Sequence, residues 1–317
     1  MRVAIIGARR VRQGLGPYLA RFVAEAGHEL VAVYGTREAT ARQAAEEVEA
    51  VSVGAVRATW SEEAVAAAEP EALIIASPRE THGRWLDFAL AHGLHALCEK
   101  PLVWSSGSPD AENEGALLVN AFHERACLLR VNTQWPWTLP TFRTLHPEAP
   151  AVPAQFAMQM PPRVAGLEAV IDSMSHPLSM LAHFAPDRDA RLDDLQVQEG
   201  GRDATRWRFT FRYAAAARAI EADIVLDATP DAARTTTYAL DGFRASRQVD
   251  PGTYAMTLAD GDRRIPLPDP TPRLVRSFLD TATRGETHPL DPAADPGLRH
   301  LIEIVRVARR HIRDQAQ

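Results

Sequence analysis

The chain has 317 residues, 46% of them hydrophobic and 24% charged, and a formal net charge of −6. This is average for a soluble globular protein and suggests two domains of ordinary size. With no basic block, nothing points to a nucleic-acid partner, and no apolar run approaches the ~20 residues that cross a membrane.

Arg2–Ile6 reads as a buried strand, and Gly7 opens the turn after it. The chain thus begins directly with a strand, leaving no room for a signal peptide. Together with Cys98 and Cys127, which lack zinc-type or redox-type spacing, this suggests a cytoplasmic protein. A loop follows, Ala8-Arg9-Arg10-Val11-Arg12-Gln13-Gly14-Leu15-Gly16, then a helix over Pro17–Ala26 and a strand over Glu29–Tyr34. Strand, glycine turn and helix N-terminus is the arrangement that cradles a dinucleotide pyrophosphate. Strict G-x-G-x-x-G spacing from Gly7 would want glycine where Arg9 and Arg12 stand. The expectation is a longer phosphate loop, with Gly14 and Gly16 allowing close approach and Arg9, Arg10 and Arg12 adding charge. A solvated basic loop is the competing reading.

An NAD-preferring site carries an acid at the end of the second strand to hold the ribose hydroxyls. Here Tyr34-Gly35-Thr36-Arg37 has none before Glu38. Thr36 and Arg37 offer a hydroxyl and a guanidinium fork for a 2′-phosphate, which favours NADP, with NAD the second choice. Alternatively, Thr36 only caps the helix Glu38–Glu49 and Arg37 is solvated. Val56–Thr59 reads as a third strand, and Ser61 caps a short helix with Glu62 and Glu63 in its first turn.

Ala72 to Leu102 then forms strand, helix and strand in about thirty residues, the βαβ unit of a parallel sheet. Its second strand, His95–Cys98, delivers Glu99-Lys100-Pro101 to the carboxyl end, where open α/β sheets bind ligands. The segment Ser77-Pro78…His82 and the tripeptide Glu99-Lys100-Pro101 resemble the glucose–fructose oxidoreductase / inositol dehydrogenase / rhizopine-catabolism (Gfo/Idh/MocA) family. That resemblance implies a Rossmann dinucleotide-binding domain followed by an α+β domain with a large, mostly antiparallel open sheet. It also implies cofactor contacts from Ser77, Pro78, His82, Glu99 and Lys100. In this family the open sheet face often builds a homodimer or homotetramer.

A helix over about Asp110–Glu124 and a strand over Cys127–Val131 complete a six-stranded first domain, residues 1–131, leaving 132–317 to the second. His123-Glu124-x-x-Cys127 lacks a second His and spans a helix–strand break, so no metal site is expected. In Asn132-Thr133-Gln134-Trp135-Pro136-Trp137, Asn132 and Trp135 match the family pattern, whereas Gln134 stands where the family has Arg. Trp135 and Trp137 are candidates to stack on a sugar-like substrate or to pack the domain junction, and both readings stay open. Gln155–Met160 reads as a strand within a Pro-rich connection.

Asp172 and His176 are four residues apart, so within one helical turn they share a face. The family has a similar Asp-x-x-x-His aimed at the nicotinamide. Its usual second acid is replaced here by Ser179, and the preceding glycines are reduced to Gly166. From Arg206, strict alternation (Trp207, Phe209, Phe211, Tyr213) together with Asp241-Gly242 and Asp260-Gly261 predicts an antiparallel sheet of about six strands. Helices from Thr271 to Arg284 and from Leu298 to Arg313 close the chain.

Oxidising a carbinol requires a base near neutral pH and a donor for the developing oxyanion. His176 suits the first role with Asp172 orienting it, and Lys100 suits the second, in a site expected to close where the domains meet. The expectation is an NAD(P)-dependent oxidoreductase acting on a hydroxyl or carbonyl of a sugar, cyclitol or related small polar molecule. The alternatives are a catalytically silent cofactor sensor on the same fold and an imine- or pyrrole-type reductase.

Overall fold

The computed structural model describes residues 1–8, 15–52, 54–104, 111–200, 204–229, 235–250, 253, 255–286 and 295–315. The chain divides into two compact units, Met1–Asn132 with the segment beginning at Thr271, and Thr133–Pro270 with the C-terminal helix.

The first unit is built on strands β1 (Arg2–Ile6), β2 (Glu29–Tyr34), β3 (Arg57–Thr59), β4 (Ala72–Ile75), β5 (His95–Cys98) and β6 (Leu129–Val131). They form one parallel sheet in the order β3-β2-β1-β4-β5-β6. β1 lies between β2 and β4, so the winding reverses beside it and a crevice opens at the carboxyl ends of β1 and β4. β1 and β4 are almost wholly buried, as continuous apolar runs covered on both faces must be. Helices α1 (Gly16–Glu25), α2 (Glu38–Glu49), α3 (Glu62–Ala66), α4 (His82–Ala91) and α5 (Ala111–Glu124) make the crossovers.

The second unit adds α6 (Leu139–Leu145), β7 (Gln155–Met160), α7 (Gly166–Ser173) and α8 (Ser175–Phe184). Strands β8 (Arg191–Gly200), β9 (Arg206–Ala215), β10 (Arg218–Asp227), β11 (Thr236–Leu240), β12 (Phe243–Val249), β13 (Met256–Asp260) and β14 (Arg263–Leu267) follow. All eight strands join in the order β14-β13-β12-β11-β7-β10-β9-β8. Only β7 and β10 pair in parallel. Alternation holds as expected: Trp207, Phe209, Phe211 and Tyr213 are buried, while Arg208 and Arg212 face outward. The outward arginines pair across strands with Asp223 (2.9 and 2.8 Å) and Asp193 (2.8 Å). Asp241 and Gly242, at φ 47° and 88°, make the tight hairpin that the dipeptide predicts.

Two expectations need correction. The six strands expected from Arg206 onward are present as β9–β14, but the sheet also takes in β7 and, unread in the sequence, β8. β8 escapes a period-two reading because a register shift between Asp193 and Gln196 breaks its alternation and only Leu192 is buried. The second correction concerns α9 (Pro270–Thr283), which belongs to the first unit although residues 132–317 read as one domain. Its apolar face carries Leu274, Val275, Phe278 and Leu279, all fully buried. Arg276 donates to the Glu25 carbonyl (2.8 Å), and the Ser277 hydroxyl accepts from Arg130 (3.0 Å). The last helix, α10 (Asp295–Gln315), returns to the second unit, where His300 meets the Ala190 carbonyl at 2.9 Å.

Candidate functional site

The cradle in the first unit is set by two glycines. Gly7 has φ +83°, and a Cβ there would stand 2.7 Å from the Ser77 backbone nitrogen. The end of β1 can therefore lie against the loop after β4 only because no side chain intervenes. At Gly16 a Cβ would stand 2.0 Å from the Ala8 carbonyl oxygen, so α1 begins in direct backbone contact with the end of β1. Arg9, Arg10, Arg12 and Gly14, the rest of the expected phosphate loop, lie outside the described residues.

At the end of β2, Thr36 and Arg37 are exposed. The residue capping α2 is Arg37, with extended backbone, rather than Thr36. The Thr40 hydroxyl secures that cap, accepting from the Arg37 N–H (3.1 Å) and donating to the Arg37 carbonyl (2.8 Å). Capping therefore uses neither the Thr36 hydroxyl nor the Arg37 guanidinium.

The loop after β4 is tied down by its own side chains. The Ser77 and Thr81 hydroxyls are 2.7 Å apart, and Thr81 also donates to the Pro78 carbonyl (2.8 Å). His82 is buried, with Nδ1 at 2.9 Å from the Pro101 carbonyl and Nε2 at 2.9 Å from the Ser77 carbonyl. Both ring nitrogens thus face backbone carbonyls, and the neutral ring donates to one of them. His82 braces the loop after β4 against the turn after β5 and offers no free nitrogen to a cofactor. Burial pushes its pKa down, and the carbonyls facing it only partly offset that. On the other side of the turn, Asn132 is buried and its side-chain amide donates to the Glu99 carboxylate, while its N–H extends the ladder to Cys98 (2.8 Å). Glu99 and Lys100, both half-buried, and the cis Lys100-Pro101 bond are held from both sides. The first unit therefore gathers Gly7, Gly16, Ser77, Pro78, His82, Glu99 and Lys100 at the carboxyl edge of one sheet.

In the second unit, Asp172 lies in the last turn of α7 and His176 in the first turn of α8. Met174, between them, keeps helical dihedrals (φ −66°, ψ −21°), so the break is slight and the two residues remain about one turn apart. Both are half-buried. Ser179 is buried and donates to the His176 carbonyl at 2.7 Å, a use that an acid in its place would not have. Gln134 caps a 3₁₀ turn, Trp135–Thr138.

Trp135 is 1% exposed, which removes it as a platform for a sugar. Its ring meets His176 edge-on at 6.3 Å and Tyr238 edge-on at 5.9 Å, and Arg247 stacks over it with Cζ at 4.2 Å from the centroid. Trp137 is half-buried. Tyr238 shares a 2.9 Å hydrogen bond with Thr138, and burial raises its pKa. Sequence reasoning missed Arg247. The available signal was a charge at an apolar-face position of β12, in line with Phe243 and Ala245.

Together these features define an α/β protein whose first unit is a doubly wound dinucleotide-binding domain and whose second is an open, mostly antiparallel sheet flanked by helices. Its first unit fits a dinucleotide: two glycines clear the crevice, and a hydroxyl and a guanidinium stand uncommitted at the end of β2. Residues 1–133 match the model of the GFO_IDH_MocA oxidoreductase family, NAD-binding Rossmann fold. Solved structures share the fold over nearly the whole length. UDP-N-acetylglucosamine 3-dehydrogenase GnnA from Acidithiobacillus ferrooxidans is 20% identical, with 97% of each chain covered and a TM-score of 0.69. The 3-ketoreductase KijD10 from Actinomadura kijaniata, in complex with NADP and TDP-benzene, is 20% identical, with 97% of each chain covered and a TM-score of 0.67. A Gfo/Idh/MocA family oxidoreductase from Vibrio cholerae is 16% identical, with 100% of each chain covered and a TM-score of 0.70. Comparison with curated proteins gives no match. Among the described residues, no cluster of side chains could hold a metal ion, and no helix is long and apolar enough to cross a membrane.

Proposed function

We propose that the chain is an NADP-preferring dehydrogenase or reductase acting on a hydroxyl or carbonyl carbon of a sugar-like polar molecule. The observation that carries this reading is the Glu99-Lys100-Pro101 turn, held by Asn132 and His82 at the carboxyl edge of a sheet whose glycines clear a dinucleotide crevice. A bound nicotinamide supplies or accepts the hydride. The chain's own residues manage the proton and the charge. His176 takes the hydroxyl proton in oxidation and returns it in reduction, with Asp172 orienting the ring. Lys100 donates to the reacting oxygen as charge develops on it. Thr36 and Arg37 bind the 2′-phosphate that separates NADP from NAD. That GnnA is named a UDP-N-acetylglucosamine 3-dehydrogenase favours a sugar-type substrate. The open sheet face is the proposed surface for pairing of two or four copies.

One observation favours a second reading. Ser179, with its hydroxyl committed to the His176 carbonyl, replaces an acid, as a cofactor sensor without turnover would allow. The deciding experiment screens polyols, sugars and sugar nucleotides for absorbance change of NADP(H). Lys100→Ala and His176→Ala should each lower turnover ~10²–10⁴-fold while NADPH affinity stays within a few-fold. Normal turnover in the double variant would overturn the assignment. Tight NADPH binding with no turnover on any compound would favour the sensor.

A further inference from the structure

Arg247 occupies an unusual position. Directly paired residues of antiparallel strands point to the same side of a sheet. Arg247 pairs with Thr236 on β11 and Leu258 on β13, both buried, and lies two residues from buried Ala245. A guanidinium thus stands on the apolar, helix-covered side of the sheet. No hydrogen bond or ion pair ties it to another described residue. Its contact is the face of Trp135, with Cζ 4.2 Å from the ring centroid. Asp269 and the Tyr238 phenol act on it only through their fields, and burial works against its charge. Arginine stays protonated even so, so a half-buried fork of five N–H donors has no acceptor among the described residues. Stacking on an aromatic satisfies the flat face of the cation but leaves its in-plane donors open. An oxyanion in that plane satisfies them with two parallel, charge-assisted bonds.

The location gives this a consequence. Trp135 carries Arg247 on its face and makes a T-shaped contact with His176, so the two contacts of 4.2 and 6.3 Å to one ring set an upper bound on the separation of guanidinium and imidazole. The two groups are therefore close enough for one sugar-sized molecule with an anionic substituent to reach both.

We propose that Arg247 is a specificity-determining residue that binds an anionic group, carboxylate or phosphate, carried by the substrate on which His176 acts. The assignment to the substrate rests on the oxidoreductase reading, but the anion site itself does not. The substrate is then an acidic sugar or a sugar phosphate ester, including a sugar nucleotide, rather than a neutral sugar or cyclitol. Trp135 holds the guanidinium flat so that little side-chain freedom is lost on binding.

The test is calorimetric titration of the full chain with glucuronate, UDP-glucose and glucose, with and without NADPH, at two salt concentrations. The wild-type chain should bind at least one charged probe ~10-fold or more tightly than glucose, more weakly at high salt. Arg247→Met should weaken that charged probe ~10–100-fold, the worth of a charge-assisted hydrogen bond, and leave glucose and NADPH unchanged. Preference for glucuronate identifies a carboxylate, and preference for UDP-glucose a phosphate ester. Arg247→Lys should fall between wild type and Arg247→Met, because it keeps the charge but not the fork. It carries the test if Arg247→Met does not show a normal melting transition. Equal binding of charged and neutral probes by the wild type, failure of every charged probe to bind, or wild-type affinity in both variants would overturn the proposal. Failure of NADPH alone to bind sinks the oxidoreductase reading instead and leaves the anion titration to be judged by itself.

Discussion

Gly16→Ala probes the seat of the cradle directly. An alanine Cβ at this position would stand 2.0 Å from the Ala8 oxygen and 2.2 Å from the Ala8 carbonyl carbon. Real contacts of that kind begin near 3 Å, so helix and strand must separate by about 1 Å in a close-packed interior. The atoms in the way are backbone, and no side-chain rotation relieves the clash. Overpacking of this size costs about 1–3 kcal/mol, a loss a domain of ordinary stability survives. The same displacement carries the first N–H groups of α1 away from the phosphates they would cradle, which should weaken NADPH about 10–100-fold. The control is Gly93→Ala. Gly93 has φ +67° and open space around its missing Cβ, so its alanine suffers backbone strain of about 1–2 kcal/mol and nothing at the crevice. Urea unfolding gives the stabilities, and NADPH fluorescence titration gives the affinities. Both variants should lose stability, and only Gly16→Ala should lose the nucleotide. A Gly16→Ala protein with wild-type stability and affinity would refute the claim that α1 is seated on Ala8.

Arg37→Ala should weaken NADPH by about 1–3 kcal/mol and leave NADH nearly unchanged, because on the proposed reading the guanidinium would meet only the 2′-phosphate. Equal losses for both nucleotides, or tighter NADH binding by the wild type, would count against the reading of the β2 turn. His300 makes stability fall in acid. It is 1% exposed, Nε2 donates to the Ala190 carbonyl, Nδ1 has no partner, and burial lowers its pKa to about 4. Because the folded value lies below the unfolded one, the unfolded chain binds the extra proton between about pH 6.5 and 4. Its contribution is therefore complete above pH 6.5 and lost as the pH falls, by about 3 kcal/mol in all. His300→Gln should flatten the acid limb of a urea-midpoint-versus-pH curve over that window, and an unchanged limb would show that other groups govern it.

Much of the first unit was legible in the sequence because its determinants are local. Apolar runs bounded by glycines or, for β4, closed by Ser77-Pro78 set β1, β2, β4 and β5 to within a residue, and the order of strand and helix admits a parallel sheet only. Gly7, Gly16 and the Glu99-Lys100-Pro101 turn stand at strand ends, where position along the chain nearly determines position in the sheet. The family resemblance rests on that turn and on Ser77-Pro78…His82 after β4. The tertiary structure decided what depends on distant partners. α9 reads as part of the second half of the chain, yet its apolar face and the Arg276 and Ser277 contacts place it with the first unit. β8 is an edge strand with a register shift and little burial, so only pairing with β9 reveals it. His82 is a cofactor contact by the family resemblance, and only the fold shows its two nitrogens facing backbone carbonyls of two separate loops. Trp135 and Arg247 lie more than a hundred residues apart, and no period in the chain announces that one stacks on the other. Periodicity records which face of an element is buried. It does not record which element buries it, and there the acceptors and aromatic faces that set a side chain's role come from elsewhere in the chain.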